Sequence, residues 1–425
     1  MTTQTTKDLL QEAKRQQNAG NIAAAEKGYV ALLEKQVSPT DDAGLRDQEI
    51  AVNALGKLYH DTNNIQALSD LVRRSKQFTS AFSKGKTAKI VRELIDLFSD
   101  IPGALDTQIS VTRECIDWAV ETKRTFLRQN LEIRLIVMLH ESGKNGEALK
   151  IIAPLLKELR KLDDKMQLVE VQLLESKIYH SLRNLPKSKA ALTSTRTAAN
   201  AIYCPPLLQA SLDLQSGILH ADDKDYKTAY SYFYEALEGF SSQEDPRAID
   251  TLKYMLLSKI MLGATDDVES ILSSKIGSKY SGPAVEAMRA ISKAYQDRVL
   301  NEFNNIVEQH KEELKNDPVI RSHLSGLYDA LLENNLIKII EPFSQVEISH
   351  IAKLIGLGIT QVEDKLSQMI LDKVISAVLD QGAGFLVIYD EPESDKTYEA
   401  ALDTLQHMST VVDLLYEKAR KLSAV

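Results

Sequence analysis

Cysteine, glycine and proline are all scarce in this chain of 425 residues. The two cysteines, Cys115 and Cys204, do not make a disulfide framework, so the composition predicts a protein of a reducing compartment. There are 18 glycines and 11 prolines, and the prolines lie mostly between periodic apolar segments, where they separate helices. So few breakers among long periodic segments favour a mainly helical chain.

Long apolar runs are absent too. No uninterrupted apolar run approaches the roughly 20 residues that are needed to cross a bilayer, and the first residues lack the apolar core of a secretory signal. The 60 acidic residues outnumber the 51 lysines and arginines, which gives a net charge of −9. An acidic chain repels phosphate backbones. We therefore expect an intracellular, soluble protein that binds neither membranes nor nucleic acids.

Motifs for catalysis, metal binding and cofactor binding are missing as well. The sequence contains no His-Glu-x-x-His, no paired-cysteine spacing and no Gly-x-Ser-x-Gly, and its histidines are scattered. Gly85-Lys86-Thr87 resembles the end of a phosphate-binding loop, but Ser80 stands where that motif requires its first glycine. We predict no catalytic residue, no metal site and no cofactor.

What the chain does contain is a period of 40 residues. His140, His180 and His220 each follow an apolar pair and precede a polar turn and a second helical pattern. A period of this length is typical of stacked two-helix units, which offer surfaces to other proteins. Neighbouring units stand about 10 Å apart, too far for the histidines to share a metal ion at about 2 Å. We expect the histidines to cap or pack at helix ends.

Residues 1 to about 320 thus predict a right-handed α-solenoid of helix pairs of tetratricopeptide (TPR) type. A different pattern begins near residue 324 and predicts a winged-helix domain. Its expected elements are a helix over 324–336, a short β-like piece at 346–348, a helix over 349–356, a third helix opened by a capping box at Thr360–Glu363, and a β-hairpin of 377–379 and 385–389.

The third helix of a winged helix is the part that enters the major groove in DNA-binding members, where arginine, lysine or asparagine is needed. Here that segment offers Glu363, Asp364 and Asp372 together with two lysines and no arginine. Phosphate repulsion would cancel most of the attraction. The domain is therefore interpreted as a module for protein interaction.

The last segment predicts a long helix with a continuous apolar seam. Spacings of three and four residues run from Tyr398 to Leu422, an a/d pattern sustained over three heptads. A continuous apolar seam does not stabilise a helix that is surrounded by solvent. We therefore expect this helix to pack against partner helices. The candidate contact residues are Leu405, Met408, Val412 and Leu415.

A basic stretch contrasts with the acidic chain around it. No acidic residue stands among its members, which are Arg73, Arg74, Lys76, Lys84, Lys86, Lys89 and Arg92. One interpretation is a solvated helix face; the other is a docking site for an acidic protein surface. Both stay open at this point.

The order of solenoid, winged helix and long terminal helix resembles the PCI family. The winged-helix core that carries the resemblance spans 341–355, 362–373 and 379–382. Longer motifs, such as Lys123-Arg-Thr-Phe-Leu-Arg128 and Ala201-Ile-Tyr-Cys-Pro-Pro206, are similar to those of the subunit-six branch of the 26S proteasome lid subunits.

The resemblance implies a TPR-like arm over residues 1–220, a PCI domain over 221–392 (helical repeats 221–320, winged helix 321–392) and a C-terminal bundle helix over 393–425. It also implies a non-catalytic scaffold of the proteasome lid, needed for assembly and for ubiquitin-dependent degradation, in cytoplasm and nucleus. Its partners would be the other PCI subunits of the lid, the ATPase ring and the α-ring of the core particle.

Three surfaces are predicted to hold different neighbours. The basic stretch contacts the core particle and the ATPase ring. The strand with Phe385, Val387 and Tyr389 pairs with an adjacent PCI subunit by strand addition, and the terminal helix joins a bundle. Two alternatives stay open: a PCI subunit of another assembly, such as the signalosome or a translation initiation factor, and a winged-helix factor that binds nucleic acid.

Overall fold

Helices joined by short turns make up most of the computed structural model of this chain. The structure describes residues 6–18, 21–34, 42–78, 84–99, 101–280, 282–311, 314, 317–389 and 396–423. Its elements are α1 (Thr6–Asn18), α2 (Ile22–Glu34), α3 (Asp42–Asp61), α4 (Ile65–Phe78), α5 (Lys84–Asp96), α6 (Leu105–Glu121), α7 (Thr125–Glu141), α8 (Asn145–Leu162), α9 (Lys165–Ser181), α10 (Leu185–Ala199), α11 (Pro206–Asp222), α12 (Tyr226–Ser242), α13 (Arg247–Met261), α14 (Thr265–Ser273), α15 (Lys275–Lys279), α16 (Pro283–Asp297), α17 (Leu300–Gln309), α18 (Pro318–Ile340), β1 (Gln345–Glu347), α19 (Ile348–Ile355), α20 (Ile359–Leu371), β2 (Ala377–Asp380), β3 (Phe385–Ile388) and α21 (Lys396–Ser423).

Successive helix pairs turn on a residue in the left-handed backbone region. One series of these residues recurs about every 40 positions: Asn63, Gly103, Gly143, Arg183, Lys224 and Gly263. Lys123, Asp163 and Glu244 have the same conformation in turns between the members of this series. A left-handed residue reverses the chain after a helix, and glycine adopts this conformation without a clash from a Cβ atom. The 40-residue period is therefore a period of two helices, as predicted. His140, His180 and His220 lie in the last turns of α7, α9 and α11.

The apolar core of the solenoid is built from successive clusters that link one pair to the next. The first extends from Leu10 in α1 to Leu131 in α7. The second lies on α6 to α9, and the third on α9 to α11. A single pair would leave its apolar face open, so each pair depends on the pair beside it.

Helices α11 and α12 approach each other closely because glycines stand at their contact. A Cβ atom added at Gly217 would lie 2.5 Å from Cε1 of the Phe233 ring, and one added at Gly239 would lie 2.8 Å from Cβ of Ala210. Phe233 is only 1% exposed, so the ring has no free space to move into. Glycine is accepted inside these helices, despite its entropic cost, because a larger residue would push them apart.

The chain divides into two compact units, 1–258 and 259–425, with the boundary near the end of α13. The second unit contains α14 to α17 and then α18, β1, α19, α20, β2 and β3 in the order expected of a winged helix. The predicted solenoid and PCI winged helix are thereby confirmed, together with the long terminal helix. The predicted boundaries at 220/221, 320/321 and 392/393 stay predictions.

The sheet of the winged helix has three antiparallel strands in the order β1-β3-β2. Val378 of β2 stands opposite Val387 of β3, and Val346 of β1 stands opposite Leu386. Leu386 is fully buried, so the even-numbered residues of β3 face the core and the odd-numbered residues face away from it. The predicted hairpin is confirmed, with residues 381–384 as its loop.

The predicted capping box at Thr360 is wrong. Helix α20 begins at Ile359, and its N-cap is Gly358, which has extended backbone angles and no side chain to cap with. Gly356, the C-cap of α19, has a φ of 81°, and three residues, 356–358, join one helix to the next. This short connection decides where α20 starts, and Thr360 falls inside its first turn.

Candidate interaction surfaces

The three periodic histidines are contacts at the helix ends, as expected. Nδ1 of His140 lies 3.1 Å from Oδ1 of Asn145 across one turn. Nε2 of His180 lies 2.7 Å from Oδ2 of Asp222 in the next repeat. The ring of His220 stacks on Tyr232 with a centroid distance of 5.4 Å. No three His, Cys, Asp or Glu side chains of the described residues are grouped so as to hold a metal ion.

Arg196 joins three helices of neighbouring repeats. Its Nη1 donates to the hydroxyl of Tyr232 at 2.8 Å, and its Nη2 donates to Oδ1 of Asp213 at 3.1 Å. Nε2 of Gln209 donates to the other oxygen of Asp213 at 3.0 Å. Burial raises the pKa of the Asp213 carboxyl, and these two donors lower it only in part. The cluster is a structural tie between repeats.

Two members of the basic stretch have acidic partners in the fold, and one of these partners is distant in the sequence. Nε and Nη2 of Arg73 donate to the two carboxylate oxygens of Glu114 at 3.0 and 2.9 Å, and Glu114 lies one repeat further along the chain. Nζ of Lys89 lies 3.7 Å from Oε1 of Glu93. Arg73 and Lys89 are thus partly neutralised, which the sequence pattern did not indicate.

Two other members of the basic stretch are not neutralised by a carboxylate of the described residues. Arg74 is exposed and Lys86 is half-buried, and no carboxylate of the described residues lies within ion-pair distance of either. Lys84 starts α5, but its side chain lies outside the described residues. Whether this surface docks an acidic partner stays a prediction.

The structure brings Phe385, Val387 and Tyr389 together on the outer face of the sheet. Phe385 and Tyr389 are 37% and 56% exposed, and Val378, which is 53% exposed, lies opposite Val387 on the neighbouring strand. Leu371, at the end of α20, is 79% exposed. Sequence reasoning missed Val378 and Leu371; the alternation of β2 would have indicated the first.

The prediction that this strand adds to a neighbouring subunit through its backbone is wrong. β3 is the central strand, and both of its edges are occupied within the chain. Amides of residues 386 and 388 face β1, where Ile388 donates to Ser344 at 2.9 Å; those of 385, 387 and 389 face β2, where Tyr389 donates to Ser376 at 2.8 Å. The strand β1 that covers it comes from 40 residues earlier, which periodicity did not reveal.

The free edges of the sheet are the outer edges of β1 and β2. In an antiparallel ladder, alternate residues point their amide and carbonyl groups to opposite edges. By this alternation the backbone of Ala377 and Leu379 points away from β3 on one side, and that of Gln345 and Glu347 on the other. Any strand addition must use one of these two edges.

The terminal helix α21 presents its seam to solvent over its whole length. Every side chain described between Ala400 and Arg420 is exposed, and the four predicted contact residues Leu405, Met408, Val412 and Leu415 are 59–63% exposed. Sequence reasoning missed the flanking apolar residues, which are Leu402, Val411, Leu414 and Tyr416. Neither α21 nor any other helix of the described residues is long and apolar enough to cross a membrane.

Known families match all three parts of this architecture. The model of the 26S proteasome regulatory subunit RPN6 N-terminal domain matches residues 6–142. The PCI domain matches 307–390, and the RPN6 C-terminal helix domain matches 394–420. The probable 26S proteasome regulatory subunit rpn6 of Schizosaccharomyces pombe is 53% identical, over 97% of this chain and 98% of its own length.

The chain belongs to the RPN6 family of 26S proteasome regulatory subunits. The 26S proteasome non-ATPase regulatory subunit 11 homolog of Arabidopsis thaliana is 50% identical over 93% of each chain. The 26S proteasome regulatory subunit RPN6 of Saccharomyces cerevisiae is 47% identical over 96% of this chain and 98% of its own. The resemblance to PCI lid subunits is confirmed.

The third helix of the RPN6-family winged helix has little to offer a nucleic acid. Its one lysine, Lys365, is 12% exposed at the side chain, and its Nζ lies 2.8 Å from Oε1 of Glu333 in α18. A lysine that is already paired is a poor phosphate ligand, since binding would first have to break the pair. In this RPN6-family chain the exposed apolar residues of the winged helix include Val378, Phe385 and Tyr389 on its sheet.

Proposed function

We propose that this chain is a non-catalytic scaffold of the 26S proteasome lid, which holds lid, ATPase ring and core particle together and is required for proteasome assembly and ubiquitin-dependent degradation. The observation that carries the proposal is the uncovered seam of α21. Membership of the RPN6 family supports it. Three separate surfaces, on α21, on the sheet and on α4–α5, supply the contacts that a scaffold needs.

The seam of α21 is the strongest of the three. Burying a leucine-sized side chain contributes about 1.5–3 kcal/mol, and four such residues lie in register on one helix. Val411 and Leu414 extend the apolar surface beyond the a and d positions. A two-stranded coiled coil buries only the a/d seam, so this broader surface favours a bundle in which α21 touches more than one partner helix.

The lateral contact with an adjacent PCI subunit is assigned to the outer edge of β2 in place of β3. Leu371 and Val374, just before β2 in the chain, and Val378 within it are exposed apolar residues. The outer edge of β1 has exposed Gln345 and Glu347 beside it, and polar or charged residues are what proteins place on edges that must stay unpaired.

Proline variants separate the two edges. Ala377→Pro removes an amide that points outward from β2, and Gln345→Pro does the same on β1; both lie at the first residue of a strand, where proline is tolerated. We expect Ala377→Pro to weaken the contact with the adjacent PCI subunit and Gln345→Pro to leave it intact, as measured by chemical cross-linking in purified lid. The opposite outcome would move the interface to β1.

The arm is proposed to reach the core particle and the ATPase ring through Arg74, Lys84 and Lys86. Charge reversal at Lys84 and Lys86 should reduce the fraction of regulatory particle bound to core particle on native gels. The difference from the unaltered chain should be largest at low salt, because salt screens exposed charges. Reversal at Lys57, an exposed lysine of α3, is the control. Equal binding of core particle by both variants would contradict the proposed role of this surface.

The central test concerns α21. The variant Leu405→Ser/Met408→Ser/Val412→Ser/Leu415→Ser removes the seam, and Gln406→Ser/Thr410→Ser changes the opposite face of the same helix. We expect the seam variant to be absent from affinity-purified lid and the control to enter it normally, while circular dichroism shows both chains folded. A seam variant that enters the lid at the wild-type level would overturn the scaffold proposal.

The same purification checks the identity of the assembly. We expect the co-purifying proteins, identified by quantitative mass spectrometry, to be subunits of the 26S proteasome. A set dominated by the signalosome or by a translation initiation factor would contradict the proposal. We further propose that the chain acts in both cytoplasm and nucleus, and fluorescence microscopy of a tagged chromosomal copy tests this.

A further inference from the structure

Two cavities of the second unit share one side chain, Arg298. The first has a volume of about 360 Å³ and is lined by residues of α18 and α19, among them Asn335, Lys338 and Leu354. The second has a volume of about 410 Å³ and includes Leu262 from the turn after α13. We call the two together the Arg298 groove. It uses no residue of the sheet face, of α21 or of the basic stretch.

The charges that line the Arg298 groove are all positive. Among its described lining residues only Arg298 and Lys338 are charged, and none is a carboxylate, although acidic residues outnumber basic ones in the chain by 60 to 51. Nζ of Lys338 donates to the backbone oxygen of Asp297 at 3.3 Å. No carboxylate of the described residues lies within ion-pair distance of either cation. Both cations are exposed and available to an anion.

Apolar surface lies directly beside these cations. Leu354 and Leu262 are 54% and 44% exposed, and the nearly buried Leu300 and Ile355 lie beneath the first cavity. Free phosphate or a nucleotide would leave this aliphatic surface uncovered. A peptide can supply a carboxylate and an aliphatic side chain within a few residues of each other.

Two polar side chains that line the groove are hydrogen-bonded to other residues of the same unit. Nδ2 of Asn334 donates to the hydroxyl of Tyr295 at 3.2 Å, and Nε2 of Gln296 donates to Oδ1 of Asp266 at 3.2 Å. Side chains that are already positioned lose less freedom when a partner binds. The groove is therefore a preformed cleft on the surface of the second unit.

We propose that the Arg298 groove binds a short acidic-aliphatic segment of a neighbouring protein. A carboxylate of the segment accepts hydrogen bonds from the planar guanidinium of Arg298, a geometry that suits two parallel bonds, and from the ammonium of Lys338. An aliphatic side chain of the segment covers Leu354. The proposal deepens the scaffold function, on which it rests, by adding a fourth contact and naming the chemistry of its partner.

The test is a selection of random heptapeptides displayed on phage against the purified full-length chain. We expect enriched sequences to combine aspartate or glutamate with leucine, isoleucine or valine, and a synthetic peptide of the enriched sequence to bind in fluorescence anisotropy. Arg298→Gln or Lys338→Gln alone should weaken that peptide about fivefold, as expected for solvent-exposed charge pairs, and Arg298→Glu/Lys338→Glu should abolish binding. Leu354→Ser should weaken it as well.

Matched controls are Lys293→Gln, an exposed lysine of α16 outside the groove, and Ile359→Ser, an exposed apolar residue of α20; both should bind the peptide as the unaltered chain does. Enrichment of basic or purely aromatic peptides, no enrichment, or binding that survives Arg298→Glu/Lys338→Glu would each overturn the proposal. The proposal would also be overturned if the chain formed a dimer that Arg298→Glu/Lys338→Glu dissociates, because the groove would then bind a second copy of the chain. Entry of the variant into the lid is measured separately, so a failed groove leaves the scaffold proposal standing.

Discussion

Helices α9 and α21 both mix apolar and charged residues, but their surroundings are opposite. No residue of α9 from Lys165 to His180 is exposed, whereas every described residue of α21 between Ala400 and Arg420 is. Burial raises the pKa of Glu170 and lowers that of Lys177. The repeats around α9 thus partly desolvate its charged groups, whereas the charged groups of α21 stay in solvent.

The difference shows where each helix obtains its partners. In the solenoid the neighbouring pair belongs to the same chain, so the apolar faces between pairs are covered as the chain folds. The seam of α21 is not covered by any described residue. In the scaffold that we propose, its burial comes from association, with a strength that depends on the concentration of the partners. The same apolar pattern therefore stabilises the fold in one helix and the assembly in the other.

Leucine truncations in the two regions test this contrast most strongly. Leu131→Ala in α7 removes a fully buried side chain and should lower the free energy of unfolding by about 2–5 kcal/mol. Leu405→Ala in α21, where the leucine is 63% exposed, should change it by less than about 0.5 kcal/mol. Urea unfolding of the purified chain measures both. Equal losses would show that α21 is covered within the chain after all.

The next largest change in the free energy of unfolding is expected at Arg196, which connects neighbouring repeats. Arg196→Met leaves the carboxylate of Asp213, whose side chain is 7% exposed, without its cation, which should cost about 2–3 kcal/mol. Arg113→Met breaks a pair with Glu147 in which both side chains are about half exposed, and should cost less than about 1 kcal/mol. If the two variants unfold at the same urea concentration, burial does not control the strength of the ties between repeats.

Two glycine substitutions sharpen the contrast between close and open packing. Gly217→Ala places a Cβ atom 2.5 Å from the Phe233 ring and should destabilise the chain by about 1–3 kcal/mol. Gly146→Ala in α8 meets nothing within 4 Å and should stabilise it by about 0.5–1 kcal/mol because alanine favours helix. Thermal unfolding midpoints should move in opposite directions; a shift of the same sign for both would refute the packing argument.

The smallest expected effect depends on pH. Burial raises the pKa of Glu170 above its ordinary value of 4.5, so the folded chain binds this proton more tightly than the unfolded chain. The contribution of Glu170 to stability therefore falls as pH rises from that ordinary value through the raised one. Glu170→Gln should stabilise the chain at pH 7 by about a few tenths of a kcal/mol, since solvent screens a half-buried group.

Below about pH 4 this advantage should disappear, because the carboxyl is then protonated in both states. Urea unfolding at pH 7 and pH 3.5 gives the comparison, with the exposed Glu238→Gln as the control. A gain of the same size at both pH values would mean that Glu170→Gln acts through packing and not through charge.

Much of the architecture was predictable because its signals are local. The spacing of His140, His180 and His220 indicated the helix pairs. The two glycines at 382 and 384 indicated the hairpin, and the seam from Tyr398 to Leu422 indicated a long amphipathic helix. Each of these patterns lies within one or two elements, so the residues themselves display it.

Two of the differences came from residues that meet across long stretches of chain, and a third came from local backbone geometry. Glu114, which pairs with Arg73, is 41 residues away. The strand β1, which occupies one edge of β3, precedes it by about 40 residues. The start of α20 depended on Gly356 and Gly358 more than on the capping preference of Thr360. In each case a local preference was right in kind, but a distant or geometric constraint decided the outcome.

The sequence by itself determined the repeat length, the helical class and the apolar seams, because these follow from how side chains recur along a helix or strand. Only the tertiary structure decided which of those seams stay open. Whether Leu131 or Leu405 is covered depends on which other parts of the chain reach it, and that is a property of packing in three dimensions. The seam of α21 is exposed because no described part of the chain reaches it.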